Sequence, residues 1–313
     1  MVNTQIRNVA IVGTGLIGAS WAAQYLASGL DVIATDPAPN AEANLREGVD
    51  EAWKLLTVMG LAPGASLDRL SFTADMKEAV SKADFVQENV PERAFLKAQV
   101  FAQMDEVAAP DTILASSASA ITMDTIQSGC KHPERCVIGH PFNPPHVIPL
   151  VEVVGGAKTS EAVIERAMTF YASIGKKPIR LRKAVPGHVG NRLQAALYRE
   201  VLYLIQQGVV SVEDADIAVC YGPGLRVMGP SLQWHLGGGP GGIHHFVEHF
   251  MDGFVGQMKK LEMPDVTPAL MQTVIEGVLK EANGQSVEQL AQAENKVVLE
   301  LLALRAKAGR TLP

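Results

Sequence analysis

The sequence predicts an α/β fold in which a doubly wound sheet is followed by an all-helical C-terminal domain. Three observations lead to this prediction. A glycine-rich motif directly follows a short apolar run at residues 8–12. Further short apolar runs then alternate with helical patterns, which is typical of parallel sheets covered by helices. After about residue 185, only long helical patterns remain.

The first βαβ unit is predicted over residues 8–36. The run NVAIV at 8–12 suits a strand buried on both faces, residues 17–28 form a helix that ends at Gly29, and DVIAT at 31–35 forms a second strand. Later predicted strands are 85–87, 112–115, 136–139 and 151–154, and they alternate with helical stretches such as 91–107 and 160–174. The helical patterns after them include 188–207 and 286–307.

The change of pattern predicts a domain boundary at Val185-Pro186-Gly187, so that residues 1–185 form the first domain and 186–313 the second. A chain of 313 residues suits two domains, since single cores stop growing near about 250 residues. A Gly/Pro-rich stretch at 221–242 is expected to be a loop close to a ligand or partner.

Composition excludes several classes of function. The net charge of -6 argues against nucleic-acid binding, which requires a basic surface. No apolar run reaches the roughly 18 residues of a membrane span, and no signal peptide is apparent. The three cysteines have no metal-ligand spacing, so they indicate reduced thiols, no metal site and a cytoplasmic location.

The glycine-rich motif predicts a dinucleotide site. Gly13, Gly15 and Gly18, with Leu16 and Ile17 between them, have the GxGxxG form that joins a strand to a helix in Rossmann domains. Asp36 ends the second strand, where a carboxylate can bind the ribose hydroxyls. Because this carboxylate would repel the extra phosphate of NADP, NAD is the predicted cofactor.

A histidine and a glutamate form the candidate catalytic pair. His140 follows a predicted strand at the edge where ligands gather in open sheets, and histidine suits proton removal near neutral pH. Glu152 lies inside an otherwise apolar strand, where a carboxylate needs a partner. From the residues alone, a turn histidine and a structural salt bridge of Glu152 with arginine remain alternatives.

Several segments together resemble the 3-hydroxyacyl-CoA dehydrogenase family. They are the glycine motif at 13–18, ENVPE at 88–92, SSAS at 116–119, HPFNPP at 140–145 and VPGHVGNR at 185–192. The resemblance implies that His140 is the general base, that Glu152 orients it, and that Ser119 and Asn191 bind the reacting oxygen. It also implies a homodimer.

The resemblance further implies that Glu92, Lys97, Ser119 and Asn143 line the cofactor. For Lys97, which lies on a predicted exposed helix, a solvated surface charge is the alternative. The chain departs from the family pattern at Ala118, where threonine is frequent, and at His188, where an apolar residue is usual.

Four further segments, DPAP at 36–39, GLAPG at 60–64, HPERC at 132–136 and GPGLR at 222–226, resemble the members of the family that oxidise small hydroxy acids, the L-carnitine dehydrogenases and the L-gulonate 3-dehydrogenases of the λ-crystallin type. The segment 41–70 offers few basic residues for the nucleotide of CoA, so an acyl-CoA substrate is the weaker alternative. Arg226 and Trp234 are candidates for the carboxylate and the quaternary ammonium of L-carnitine. A 3-hydroxyacyl-CoA substrate and a non-enzymatic, crystallin-like role remain alternatives.

Overall fold

The computed structural model describes residues 6–225 and 239–308. Within the chain, two compact units can be distinguished, Met1–Arg192 and Leu193–Pro313. Within the described residues, every strand lies in the first unit and the second unit contains helices, which confirms the predicted fold class.

The first unit is built on an eight-stranded sheet with the order β3-β2-β1-β4-β5-β6-β7-β8. The strands β1 to β6 are parallel to one another, whereas β7 pairs antiparallel with β6 and parallel with β8. Their bounds are β1 Asn8–Val12, β2 Asp31–Thr35, β3 Leu70–Phe72, β4 Phe85–Glu88, β5 Ile113–Ser116, β6 Cys136–Pro141, β7 Leu150–Gly155 and β8 Lys177–Arg180.

Helices cover the sheet between successive strands. Their bounds are α1 Leu16–Ala27, α2 Ala41–Met59, α3 Met76–Ser81, α4 Ala94–Val107, α5 Met123–Ile126 and α6 Glu161–Ser173. One large apolar cluster packs α1, α2 and α6 against the strands, with Trp21, Tyr25 and Tyr171 fully buried in it. This packing fixes α1 and the strand ends that carry the candidate site.

The second unit begins within helix α7, Gly190–Gln206, and continues with α8, Val212–Tyr221. The helices that follow are Gly242–His249, Met251–Met258, Pro268–Ala282 and Val287–Ala308. None of the helices in the described part of the chain is both long and apolar enough to cross a membrane.

Two strands were not predicted, and one helix begins later than expected. The strands β3 and β8 lie at the two edges of the sheet, where short and partly polar strands leave no apolar run to detect. Helix α4 begins at Ala94 rather than 91, because the N–H of Arg93 donates to the carbonyl of Pro91 in a turn.

Candidate active site

The glycine-rich loop lies between β1 and α1. Gly13 has a left-handed backbone (φ 90°), and a Cβ at Gly18 would clash with the carbonyl of Gly13, so both positions require glycine. By contrast, a Cβ at Gly15 would meet nothing within 4 Å, and the next side chain, Leu16, is 74% exposed. The loop therefore presents open backbone to a ligand.

Helix α1 leaves its first N–H groups available for an anion. Its N-cap residue is Gly15, no side chain caps it, and its first turn contains no acidic residue. The N-terminus of a helix attracts negative charge through these N–H groups and the helix dipole. The residues present therefore fit a bound pyrophosphate of NAD.

Asp36 is fixed directly beside this loop. One carboxylate oxygen accepts a hydrogen bond from the N–H of Thr14 (2.8 Å) and the other from the N–H of Ala38 (2.9 Å). Since an ionised carboxylate has about four acceptor sites, Asp36 keeps capacity for the hydroxyl groups of a ribose. The loop also lies where the strand order reverses between β1 and β4, the position at which open α/β sheets bind ligands.

His140 and Glu152 face each other across neighbouring strands. They are register partners in the antiparallel β6–β7 pair, and His140 Nδ1 lies 2.9 Å from Glu152 Oε2. The second oxygen of Glu152 accepts hydrogen bonds from the N–H groups of Val189 (2.7 Å) and Gly190 (3.0 Å). Both side chains are buried.

The electrostatics of the pair follow from these contacts. Burial alone raises the pKa of Glu152, but the hydrogen bonds from His140, Gly190 and Val189 outweigh it, so this pKa lies below its usual range. Because the carboxylate is ionised, Nδ1 of His140 carries the hydrogen that it donates. In neutral His140, the lone pair is then on Nε2, which is the arrangement that a general base requires.

The segment that contains Ser119 follows β5 and is bound by Glu92. A single oxygen of Glu92, Oε1, accepts from the N–H groups of Ser119 (3.0 Å), Ala120 (2.8 Å) and Ile121 (3.2 Å). Glu92 thus fixes the backbone of the serine segment. This contact was not predicted from the sequence, which associated Glu92 with the cofactor.

Lys97 does not have the solvated environment considered in the sequence analysis, because it is only 1% exposed. Its Nζ lies 2.8 Å from Glu88 Oε1 and 3.6 Å from Glu92 Oε2, and it donates to the carbonyl of Val90 at 3.0 Å. Burial raises the pKa of Glu88 above its usual range, although Lys97 opposes this shift. The helical pattern of α4 contained no signal for this buried ion pair.

Gln87 is a second buried polar residue that the sequence analysis missed. Its side-chain carbonyl accepts from the hydroxyl groups of Tyr171 (2.7 Å) and Tyr25 (3.1 Å). Its amide group donates to Ser117 Oγ (2.8 Å) and to the carbonyl of Gly139 (3.3 Å). The available signal was the pair of polar residues, Gln87 and Glu88, at the end of an otherwise apolar strand.

The other predicted site residues have different positions. Asn143 is exposed and precedes a cis peptide bond to Pro144, directly after β6. Asn191 is half-buried and is the second residue of α7, next to the N–H groups that bind Glu152. Arg226 and Trp234 lie outside the described residues.

Comparison with known proteins identifies the family. Residues 8–185 match the model of the 3-hydroxyacyl-CoA dehydrogenase NAD-binding domain, and residues 187–289 match that of the C-terminal domain. The chain belongs to the 3-hydroxyacyl-CoA dehydrogenase family. The resemblance, the oxidoreductase class and NAD as cofactor, all expected from the sequence, are thereby confirmed.

Individual relatives agree with this assignment over nearly the whole chain. L-carnitine dehydrogenase of Bacillus cereus is 43% identical over 98% of this chain and 95% of its own length. L-carnitine dehydrogenase of Pseudomonas putida is 43% identical over 96% of this chain and 94% of its own length.

Solved structures show the same fold. A 5-formyl-3-hydroxy-2-methylpyridine 4-carboxylic acid 5-dehydrogenase, described as an NAD+-dependent dismutase, has 35% identity and a TM-score of 0.78, covering 96% of this chain and 98% of its own. For 3-hydroxybutyryl-CoA dehydrogenase from Escherichia coli, the values are 32% identity and a TM-score of 0.64, with 69% of this chain and 46% of the other covered.

Proposed function

We propose that this enzyme oxidises the β-hydroxyl group of a small hydroxy acid with NAD, and that the substrate is L-carnitine. The observation that carries the proposal is the buried His140–Glu152 pair, whose hydrogen bond leaves Nε2 of His140 as a base. The substrate comes from the relatives named L-carnitine dehydrogenase, which are 41–44% identical over 96–98% of this chain.

The chemistry divides between the protein and its cofactor. NAD, when bound, accepts the hydride of the alcohol carbon. His140 Nε2 takes the proton of the hydroxyl group, and the imidazolium that results is stabilised by the Glu152 carboxylate at 2.9 Å. Ser119 and Asn191 are proposed to bind the reacting oxygen, which they can do without introducing charge.

The cofactor site is proposed to comprise the glycine loop, Asp36 and the segment after β4. Gly13, Gly15 and Gly18, with Leu16 and Ile17, provide open backbone for the pyrophosphate. In this proposal Asp36 binds the adenosine ribose, and Glu92, Lys97, Ser119 and Asn143 lie on the nicotinamide side. The support for Lys97 is indirect: its ion pairs with Glu88 and Glu92 hold the backbone of this segment.

The segment 41–70 supports a small acid over a CoA ester. Its three basic residues each form an ion pair with a carboxylate: Arg46 with Glu42, Lys54 with Glu51 and Arg69 with Asp31. Phosphate groups of CoA would have to compete with these carboxylates for the cations, and the neighbouring acidic side chains would repel them.

Turnover of a substrate panel tests the proposed reaction. NADH formation by the purified protein is followed with L-carnitine, L-gulonate, 3-hydroxybutyrate and 3-hydroxybutyryl-CoA, and with NADP in place of NAD. We expect turnover of L-carnitine with NAD. Turnover of the CoA ester alone would contradict the proposed substrate, while silence with all four would contradict the proposed reaction class.

Variants of the pair test the assigned roles. His140→Ala and Glu152→Gln should each lower kcat by about 10² or more, because general-base catalysis is lost. NAD binding, measured by titration calorimetry, should be retained, since neither side chain belongs to the glycine loop. Near-normal turnover of either variant would refute the assigned pair.

We also propose that the enzyme is a homodimer formed through its second unit. The buried apolar cluster of that unit is small and consists of Ile205, Val212, Ala215 and Leu270. Its last two helices nevertheless expose an apolar set comprising Ile275, Val278, Leu279, Leu290, Val297, Leu301 and Leu304. Exposed apolar surface of this extent is typical of an interaction site, and a second copy of the chain is the occupant proposed.

A further inference from the structure

His188 is a buried histidine that lies beside the proposed base, His140, and has no role in the proposed reaction. It is 3% exposed, and the centroid of its ring lies 4.8 Å from that of His140, with the ring planes inclined at 43°. It directly precedes the two residues whose N–H groups bind Glu152. The residue therefore adjoins both members of the catalytic pair.

The hydrogen bond of His188 defines which ring nitrogen carries a proton. Nε2 lies 3.0 Å from the carbonyl oxygen of Ala118. Because a carbonyl only accepts, Nε2 is the donor, and in the neutral ring Nδ1 has the lone pair. Nδ1 is buried and makes no hydrogen bond within the described part of the chain. Burial also lowers the pKa of His188, which keeps the ring neutral.

This bond connects two parts of the site. Ala118 precedes Ser119, whose N–H is bound on the other side by Glu92. Hydrogen bonds therefore fix the backbone of this segment at two adjacent residues, at Ala118 through His188 and at Ser119 through Glu92. Since the backbone after His188 binds Glu152, the same short turn contacts the serine segment and the catalytic pair.

The backbone of His188 has a conformation that glycine adopts more readily than histidine. Its φ of 51° lies in the left-handed region, which glycine adopts without strain and most other residues adopt at a cost. A glycine here would remove the strain but also the contact with Ala118. The buried hydrogen bond is the interaction that an imidazole provides and a glycine lacks.

We propose that His188 is a positioning residue that sets the distance between Ser119 and the His140–Glu152 pair through its hydrogen bond to the Ala118 carbonyl. This inference rests on the proposed function, because it takes His140 as the base and Ser119 as a substrate ligand. His188 itself transfers no proton and acts through Ser119.

Three substitutions separate the hydrogen bond from the shape of the ring. In His188→Gln, the amide nitrogen can occupy the place of Nε2, whereas in His188→Asn the amide nitrogen corresponds to Nδ1 and falls short of Ala118. His188→Phe keeps a ring of similar size without a donor. We expect His188→Phe and His188→Asn to lower kcat/KM for the hydroxy acid about tenfold, the equivalent of one hydrogen bond. His188→Gln should retain most of the wild-type kcat/KM.

The KM for NAD and the melting temperature serve as controls for each variant. Each variant should still bind NAD, because the proposed sites for the pyrophosphate and the adenosine ribose are the glycine loop and Asp36, which are separate from Ala118. If His188→Phe fails to fold, the comparison of Asn with Gln tests the same bond. The left-handed backbone at this position favours Asn over Gln, so a higher kcat/KM of the Gln variant would reflect its longer reach. Equal losses in Asn and Gln would overturn the proposal.

A double-variant cycle with Ser119→Ala tests whether His188 acts through the serine. If it does, His188→Asn should cause little further loss of kcat/KM once the serine hydroxyl is absent, so the two effects are not additive. Full additivity would overturn the proposed route. The cycle is run on whichever hydroxy acid wild type turns over, so the failure of L-carnitine as substrate does not decide it.

The pH profile distinguishes positioning from proton transfer. Gln cannot titrate, so His188→Gln should retain the acidic limb of the wild-type kcat profile if His140 alone is the base. Loss of the acidic limb in this variant would show that His188 takes part in the proton transfer, which would overturn the positioning role. His140→Ala, which is inactive under the proposed function, tests the base independently.

Discussion

At the scale of single residues, the buried ion pair of Lys97 and Glu88 should be sensitive to substitution. Lys97→Met leaves the Glu88 carboxylate buried with its cation removed, which we expect to cost about 3–5 kcal/mol of the free energy of unfolding. Urea denaturation followed by circular dichroism measures this cost.

The control for the pair is the double variant Lys97→Met with Glu88→Gln, which removes both charges. It should recover part of the loss, because a neutral amide is much less costly to bury than an unpaired carboxylate. A double variant no more stable than Lys97→Met alone would show that the unpaired charge of Glu88 is not the cause.

Lys176, a second buried lysine, should make the free energy of unfolding depend on pH. It is buried, donates to the carbonyl of Pro145 and has its Nζ 5.6 Å from the centroid of the Trp21 ring, and burial lowers its pKa to about 7. Between about pH 7 and its unfolded pKa of roughly 10.4, the unfolded chain binds more protons than the folded chain. Stability therefore rises with pH across this window.

The variant Lys176→Met should lack this rise. Above pH 7, the free energy of unfolding of wild type should rise relative to that of the variant by up to about 1.4 kcal/mol per pH unit. Urea titrations at several pH values measure the slope. Parallel curves for the two proteins would show that Lys176 stays charged in the folded state.

Some residues of the candidate site could be predicted from the sequence and others could not, and the difference has physical causes. Glu152 was detectable because a carboxylate in an apolar strand needs a partner, and His140 proved to be that partner. The exposed position expected for Lys97 was wrong, because a helical pattern does not show which face meets a buried carboxylate 9 residues earlier. The bond of His188 to Ala118 joins residues 70 apart, a separation that no local pattern encodes.

At the scale of elements, the start of α7 depends on the glycine that packs against Phe142. A Cβ at Gly190 would overlap the ring of Phe142. We expect Gly190→Ala to displace the start of the helix, so that its N–H groups leave Glu152 and kcat falls at least about tenfold, as expected when reacting groups are misplaced. Steady-state NADH formation measures the effect.

The matched control is Gly256→Ala in the helix Met251–Met258, where an added Cβ meets nothing within 4 Å. This substitution should leave kcat unchanged and raise the free energy of unfolding by about 0.5–1 kcal/mol, because alanine is the better helix former. A Gly190→Ala protein with normal kcat would show that Glu152 does not need the N–H groups of Val189 and Gly190.

The elements themselves followed largely from sequence pattern. The central strands β1, β4, β5 and β6 are buried on both faces, so they appear as continuous apolar runs and were predicted. The antiparallel direction of β7 was not predicted, although it places Glu152 opposite His140. Strand direction depends on the connection between β6 and β7, and the apolar pattern is the same for both directions.

At the scale of the whole molecule, the exposed apolar face of the last helix predicts the oligomeric state. Val297, Leu301 and Leu304 are spaced at four and three residues, so they share one face of the helix Val287–Ala308, and all three are exposed. In a two-fold dimer, the same face of both subunits is buried in the interface, so a charge introduced there lies close to the identical charge of the partner and repels it. Wild type should therefore sediment at twice the mass of the chain at micromolar concentration.

The variant Val297→Glu/Leu301→Glu tests this interface. We expect the monomer mass in sedimentation equilibrium, because burying two unpaired carboxylates per subunit costs several kcal/mol. Gln292→Glu adds a carboxylate to an exposed position elsewhere on the same helix and should leave the dimer intact. A dimer that survives both substitutions at Val297 and Leu301 would exclude this face, and a monomeric wild type would exclude the homodimer altogether.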